Sequence, residues 1–427
     1  MPKLAILGGN VSINSPLSSY SSMGQDEIEA VTRVARSGRL SSFIGAWCED
    51  FDGGPEIRGF EKEWAERFLC KHAISVNSNT SGLIAALGAV GVSPGDEVIV
   101  PPYSMSATVM APLFYGGIPI FVDIEPNTFC IDPVLVRAAI TPKTRAILAV
   151  DLFGHPAALH QLRALADEYG IYLIEDAAQS PLASENGRFA GTIGHIGVFS
   201  LNYHKHIHTG EGGMCVTNDD DLALRLRMIR NHGENVVEPL QVENIVNLIG
   251  FNFRMTELSA AIGREQLRKV DLLVSERQAI AERLSKELSG LKGLTVPTVR
   301  ADCRHVYYVW CARHDAASAG VSRASVARAL AAEGLPIFEG YVKPLYLLQA
   351  FQQRIAIGRH GWPFTLTEQF YEKGLCPIAE RMYEHELIEF CICSYQLKEE
   401  ELTNVIKAFH KVYGQLDALV ELESESA

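Results

Sequence analysis

From residue 73 to about residue 220 the chain alternates between short apolar runs and longer segments whose apolar positions recur every three or four residues. The apolar runs lie at 73–76, 97–100, 118–122, 146–150, 172–174, 197–199 and 214–216. They are too short for helices and too continuously apolar for strands with one wet face, so they read as strands covered on both sides. The intervening segments 81–90, 107–115, 133–140 and 158–169 carry helical spacing. Such alternation predicts a mostly parallel sheet sandwiched by helices, an α/β fold whose ligands bind beyond the carboxyl ends of the strands.

The flanks read differently. A helix at 25–37, with Ile28, Val31 and Val34 on one face, stops at Gly38 and is followed by a Gly- and Asp-containing link at 46–55. A second helix at 59–69 (Phe60, Trp64, Phe68) leads into the first strand. Asp219 and Asp220 cap a helix through Arg230, and Thr256 caps a long one to about Leu288. Beyond Gly290 and Gly293 the pattern becomes a strand at 306–311, a helix at 322–333, a Pro- and aromatic-containing loop at 340–351, a strand at 388–393 and a helix at 398–413. The expected organisation is an N-terminal arm (1–55), a large α/β domain (56–288) and a smaller α+β domain (289–427) ending in a frayed acidic tail from residue 421.

Charge and cysteine content narrow the class. The 38 basic and 51 acidic residues give a net charge of −13, and no basic block occurs, which argues against nucleic acid or an anionic membrane as the main partner. No apolar run approaches the length of a membrane span, and the apolar stretch at the N-terminus is short for a signal peptide; a soluble cytoplasmic protein is expected. The nine cysteines are scattered, as reduced core thiols are. Cys391-Ile-Cys393 has no second half to complete four ligands, so no metal is expected.

The candidate chemistry centres on the segment from Gly194 to Asp219. Lys205 is the only lysine between Lys143 and Lys269, and it sits between two apolar strands rather than on a charged helix face. An amine in a dry pocket loses basicity and becomes a nucleophile, and Schiff-base formation with pyridoxal phosphate is the leading use of one. A loop lysine between core strands is the plainer alternative. Asn77-Ser78-Asn79-Thr80-Ser81-Gly82 follows a strand and opens a helix, a place where free N–H groups suit a phosphate; a plain helix cap explains Thr80 or Ser81 equally well. Tyr172 to Gln179 is a buried strand ending in Glu175, Asp176, two alanines and Gln179. Asp176 in the strand-end crevice suits a protonated heterocycle nitrogen, or else caps a helix. Ser200, five residues before Lys205, is placed to join Thr80 and Ser81 on one phosphate, and Gly250 to Glu257 alternates polar Asn252 and Arg254 with Phe251 and Phe253.

Together with Gly95-Asp-Glu-Val-Ile-Val-Pro, Phe121-Val-Asp-Ile, Thr209-Gly-Glu-Gly-Gly and Arg230-Asn-His-Gly, these motifs resemble the DegT/DnrJ/EryC1/StrS family of sugar aminotransferases, from about Gly53 onward. The resemblance implies the fold type I aminotransferase architecture, pyridoxal 5′-phosphate as cofactor, and a homodimer with shared active sites. It also implies transfer from glutamate or glutamine to a keto group of a nucleotide-linked sugar, or less readily a cyclitol, in antibiotic or surface-polysaccharide biosynthesis. By position, Lys205 would carry the cofactor, Asp176 would pair with the ring nitrogen and Gln179 would lie by the ring hydroxyl. Thr80, Ser81 and Ser200 would bind phosphate, and Asn252 would reach in from the neighbouring subunit. Two departures stand out. Met105 occupies the position where the family commonly stacks an aromatic ring, and the stretch at 46–52 is extra. A related dehydratase, in which histidine replaces the lysine, and a non-catalytic cofactor-binding regulator are the alternatives.

Overall fold

The computed structural model describes residues 2–426. Helix α1 (Gln25–Ser37) ends at Gly38, whose φ of 71° is the left-handed conformation that closes a helix. Helix α2 (Pro55–Phe68) starts four residues earlier than its apolar face alone predicted, because Pro55 fits the first turn, where no N–H partner is needed. Its Phe60, Trp64 and Phe68 are fully buried.

The central sheet has seven strands: β1 (His72–Val76), β2 (Glu97–Val100), β3 (Ile118–Phe121), β4 (Thr144–Val150), β5 (Tyr172–Asp176), β6 (Ile196–Ser200) and β7 (Gly213–Thr217). Their order across the sheet is β1-β7-β6-β5-β4-β2-β3. Every pairing from β6 to β3 is parallel, whereas β7 runs antiparallel to both β6 and β1. A parallel return from β6 would need a crossover, usually through a helix. The connection from 201 to 212 is instead an irregular segment that turns back, and this segment carries Lys205. Because β1, β5 and β6 share one direction, their carboxyl ends meet on one edge of the sheet. Helix α3 (Asn79–Ala89) follows β1 there; its cap is Ser78, which accepts from the Ser81 N–H, so the helix begins two residues before the expected start.

Helix α4 (Glu257–Leu288), capped by Thr256, joins two hydrophobic cores. Ala260 through Val274 pack in the core around the large sheet, and Ile280 through Leu288 pack in a second core. The second core lies on an antiparallel sheet of β8 (Leu294–Thr295), β9 (Trp310–His314), β10 (Phe338–Glu339) and β11 (Leu387–Phe390), in the order β8-β9-β11-β10. Helices α5 (Arg323–Ala332) and α6 (Glu399–Tyr413) cover it. Leu4 and Leu17 belong to this second core, and Ser19 bridges Tyr395, so the first twenty residues of the arm join the small domain while α1 packs on α4.

Several local expectations shift. The segment expected as a helix at 107–115 is a short helix, Ala107–Met110, and a 3₁₀ turn, Pro112–Tyr115, because Pro112 interrupts the ladder. The strand expected at 306–311 begins only at Trp310. Val306 is committed to hydrogen bonds with Gly154 and His206, and Tyr307 has a φ of 53°. The strand expected at 388–393 ends at Phe390 and passes into a 3₁₀ turn. The acidic end is not a frayed tail: α7 (Leu416–Ser426) is helical, and Glu423 accepts from the Ser322 N–H and hydroxyl at the start of α5. Ala427 lies outside the described residues.

Candidate active site

At the carboxyl edge of the large sheet a cavity is lined by Ser78, Asn79 and Thr80 after β1, Asp176 at the end of β5 with Ala178 and Gln179 beyond it, and Ser200 at the end of β6. Met105 and Ala107 close one side, and Asn202, His204, Lys205, Glu211 and Gly212 come from the β6–β7 connection. The topology therefore brings together Thr80, Met105, Asp176, Gln179, Ser200 and Lys205.

Lys205 is 7% exposed, and burial pulls its amine down to about 8, with the Asp176 charge opposing the fall. At pH 8 about half of such amines are uncharged, against less than about 1% for an ordinary lysine. The Nζ lies 4.1 Å from the centre of the Tyr308 ring. The segment around it is anchored on both sides: the Tyr20 hydroxyl donates to the His206 carbonyl at 2.8 Å, and His206 Nε2 bonds the Val306 carbonyl at 2.9 Å. Asp176 is buried, which pushes its carboxyl up. The Thr108 hydroxyl at 3.0 Å, the Ala178 N–H at 3.3 Å, Lys205 and the Asn79 amide at 3.4 Å act in the opposite direction. Thr108 in turn bonds Ser104 at 3.1 Å.

Gln179 is fixed by the Phe153 N–H, which donates to its Oε1 at 2.6 Å, leaving Nε2 as the donating end; that nitrogen reaches the Tyr341 hydroxyl at 3.0 Å. Ser81 and Asn252 do not line this cavity, Asn252 being expected at the neighbouring subunit's site. Ser81 is buried beneath the cap, its hydroxyl bonded to Ser78 and Asn77, and it does not line the cavity. Asn252 is exposed, accepts from Arg254 Nε at 2.8 Å and also lies off this cavity. Conversely, Asn79, Thr108 and Tyr308 bear on the site without an expected role, whereas Tyr341 belongs to the aromatic loop at 340–351 that is expected to build the acceptor pocket. Asn79 lies inside a recognised motif, but nothing in the local sequence marks Tyr308.

Whether these residues fit pyridoxal 5′-phosphate can be judged from the donors. The N–H groups of Asn79 and Thr80 open α3 with no acceptor among the described residues, and Thr80 and Ser200 line the same cavity. A Cβ on Gly213 would come within 2.7 Å of the Ser78 backbone, so only glycine lets β7 start this close to the α3 N-terminus. Asp176 supplies a carboxylate, Ala178 a flat floor, Gln179 an amide donor and Lys205 an amine. This set matches a phosphate, a ring nitrogen, a ring hydroxyl and an aldehyde.

A doubly covered parallel sheet with such an edge defines a fold type I aminotransferase that works with pyridoxal 5′-phosphate. The chain matches the DegT/DnrJ/EryC1/StrS aminotransferase family over residues 21–408 and belongs to it. It is similar to the dTDP-3-amino-3,4,6-trideoxy-alpha-D-glucose transaminase of Streptomyces venezuelae, 35% identical over 78% of this chain and 82% of that protein. It is also similar to the L-glutamine:2-deoxy-scyllo-inosose aminotransferase of Streptoalloteichus tenebrarius, 32% identical over 97% of this chain and 99% of that one. Among solved structures, the aminotransferase from Psychrobacter cryohalolentis superposes with a TM-score of 0.80 at 30% identity, covering 94% of this chain and all (100%) of that one. The protein is accordingly an aminotransferase, and the dehydratase and regulator alternatives give way. Among the described residues no helix is long and apolar enough to cross a membrane.

Proposed function

We propose that this aminotransferase moves the amino group of glutamate or glutamine to the keto group of a nucleotide-linked sugar, as a dimer whose chains share each site. The observation that carries the reading is the pairing of Lys205 with Asp176 on one cavity, opposite the open N–H groups of α3. When bound, the cofactor supplies an aldehyde and an electron-withdrawing ring. Asp176, supported by Thr108 and Asn79, would keep the ring nitrogen protonated. Gln179 Nε2 would donate to the ring hydroxyl oxygen, and Thr80, Ser200 and the N–H groups of Asn79 and Thr80 would hold the phosphate. Lys205, poised near neutrality, would accept the substrate α-proton at Nζ and return it, acting as base and then acid. Met105, 60% exposed at the cavity wall, offers a polarizable thioether where an aromatic ring is commonly stacked.

The relatives' names support a keto-sugar or keto-cyclitol acceptor, and the nucleotide-linked sugar is the one proposed. The exposed position of Asn252, off its own chain's cavity, leaves it available to a second copy's phosphate. The test has two stages. Glutamate or glutamine added to purified holoenzyme should convert its absorbance to that of the aminated cofactor. The aminated enzyme is then offered a panel of nucleotide keto-sugars and keto-inositols. Discharge to a nucleotide keto-sugar is expected; discharge only to keto-inositols would overturn the acceptor assignment. For the dimer, mixing inactive Lys205→Ala chains with an inactive Asn252 variant should restore partial activity. No recovery, or an active monomer in sedimentation, would overturn the shared site.

A further inference from the structure

The connection that carries Lys205 also carries three polar groups that the roles above leave unused. Asn202 donates through Nδ2 to Glu211 at 2.8 Å, while its buried Oδ1 has no partner among the described residues. His204, half-buried beside Lys205, makes no hydrogen bond through either ring nitrogen among the described residues. Its ring is held between aromatic neighbours, 5.0 Å from Tyr203 and 6.1 Å from Tyr308 by ring centres. All three line the cavity.

The chemistry of this set is selective. Burial, reinforced by the Lys205 charge, brings the His204 imidazole down to about 4, so at neutral pH it carries one N–H donor and one bare nitrogen. Asn202 Oδ1 and the Glu211 carboxylate only accept. Such a group of sites matches hydroxyls, which donate and accept; to the carboxylates of an amino-acid donor it offers a single N–H, beside Glu211, whose charge would repel them. A residue that reads hydroxyls acts in one half of the reaction and is idle in the other.

We infer that His204, with Asn202 and Glu211 beside it, is a specificity-determining residue that reads a hydroxyl of the keto-sugar acceptor and takes no part in the donor half-reaction. This rests on the acceptor assignment above. A site built to bond a hydroxyl discriminates strongly, because its buried polar groups are left unpaired when the hydroxyl is missing.

The test uses holoenzyme and separates the halves. His204→Phe keeps an aromatic ring against Tyr203 and Tyr308 but cannot hydrogen-bond. The expected result is a donor half-reaction within about twofold of wild type and discharge to the keto-sugar slowed about 10- to 100-fold, mostly through KM. Calorimetry should show the aminated nucleotide-sugar product binding more weakly by a similar factor. His204→Gln, which restores a donor and an acceptor, should recover part of the loss, and an acceptor lacking the hydroxyl should be handled equally by wild type and His204→Phe. Equal slowing of both halves, or wild-type discharge and product binding by His204→Phe, overturns the inference while leaving the acceptor assignment intact. A wild-type enzyme that takes up the amino group but discharges it to no nucleotide keto-sugar overturns the assignment, and the inference with it.

Discussion

The two sides of the active site are built by different rules. The floor comes from the carboxyl ends of β1, β5 and β6, and its polar groups are anchored within a few residues of a strand: Asp176 accepts from Thr108, Ala178 and Asn79, and Gln179 is fixed by Phe153. The roof, Tyr308 over Lys205 and Tyr341 against Gln179 with the strand behind them, comes from the chain beyond residue 289, and its groups are less settled. Tyr341 sits at a φ of 56°, in the left-handed region that a tyrosine rarely adopts. Glu389 is 5% exposed, its carboxylate makes no hydrogen bond among the described residues, and its Oε2 is wholly enclosed. Side chains alternate across a strand, and Leu387 packs in the large core while Ile388 and Phe390 pack in the small one. Glu389 therefore faces the large domain, as does Cys311 opposite it. A strand-end floor gives fixed chemistry; a seam between two cores tolerates unpaired groups, because two packed bodies rather than one ladder position them.

That contrast can be broken at several points. The largest effect belongs to the floor: Lys205→Ala should lower turnover by on the order of 10⁴ or more, as loss of a covalent catalytic group does, with the melting temperature little changed. A variant keeping a tenth of wild-type activity would remove Lys205 from the chemistry. Asp176→Asn should slow the donor half-reaction by on the order of 10²–10³, comparable to removing one preorganised electrostatic partner, with a much smaller loss of cofactor affinity. Equal losses in both would make Asp176 a structural cap. Thr108→Val removes the shortest hydrogen bond to Asp176, and about tenfold slowing of the same half-reaction is expected, with recovery in Thr108→Ser. If Thr108→Ser is as slow as Thr108→Val, packing rather than the hydroxyl is at work.

The roof should respond in stability rather than rate. Burial lifts the Glu389 carboxyl from 4.5 to about 7, so between those values the folded chain holds a proton that the unfolded chain has released. Stability contributed by this group is therefore greatest below pH 4.5 and falls as pH rises toward 7. Glu389→Gln should flatten that fall and raise stability at pH 8 by about 1–3 kcal/mol in denaturant titrations. A variant less stable than wild type at pH 8 would mean that the charged carboxylate has a partner in solution.

The same contrast explains what was legible in the sequence. The floor could be read because each of its residues follows a short apolar strand in a fixed local order; Thr80, Asp176, Ser200 and Lys205 needed only the strand ends to be brought together. Ser81 shows where local reasoning stops, since a cap sequence with three hydroxyl residues, Ser78, Thr80 and Ser81, does not say which of them closes the helix. Ser78 does so and draws Ser81 inward. The roof was legible only in part: the aromatic loop that holds Tyr341 stands out, but the approach of Tyr308 and Tyr341 to Lys205 and Gln179, from over 100 residues away in sequence, has no local signal. The strand expected at 306–311 starts late for a similar reason: Val306 is held by His206 and Gly154, and the Tyr307 N–H by His305 Nδ1, rather than by a sheet partner.

One amine, Lys205, should carry the cofactor between β6 and β7. Reducing the holoenzyme with borohydride fixes the cofactor to whichever lysine bears it, and peptide mass mapping then reads the position. The label is expected on the peptide containing Lys205, and none on that peptide's counterpart from Lys205→Ala. A label on any other lysine, or no label on a fully loaded wild-type enzyme, would contradict it.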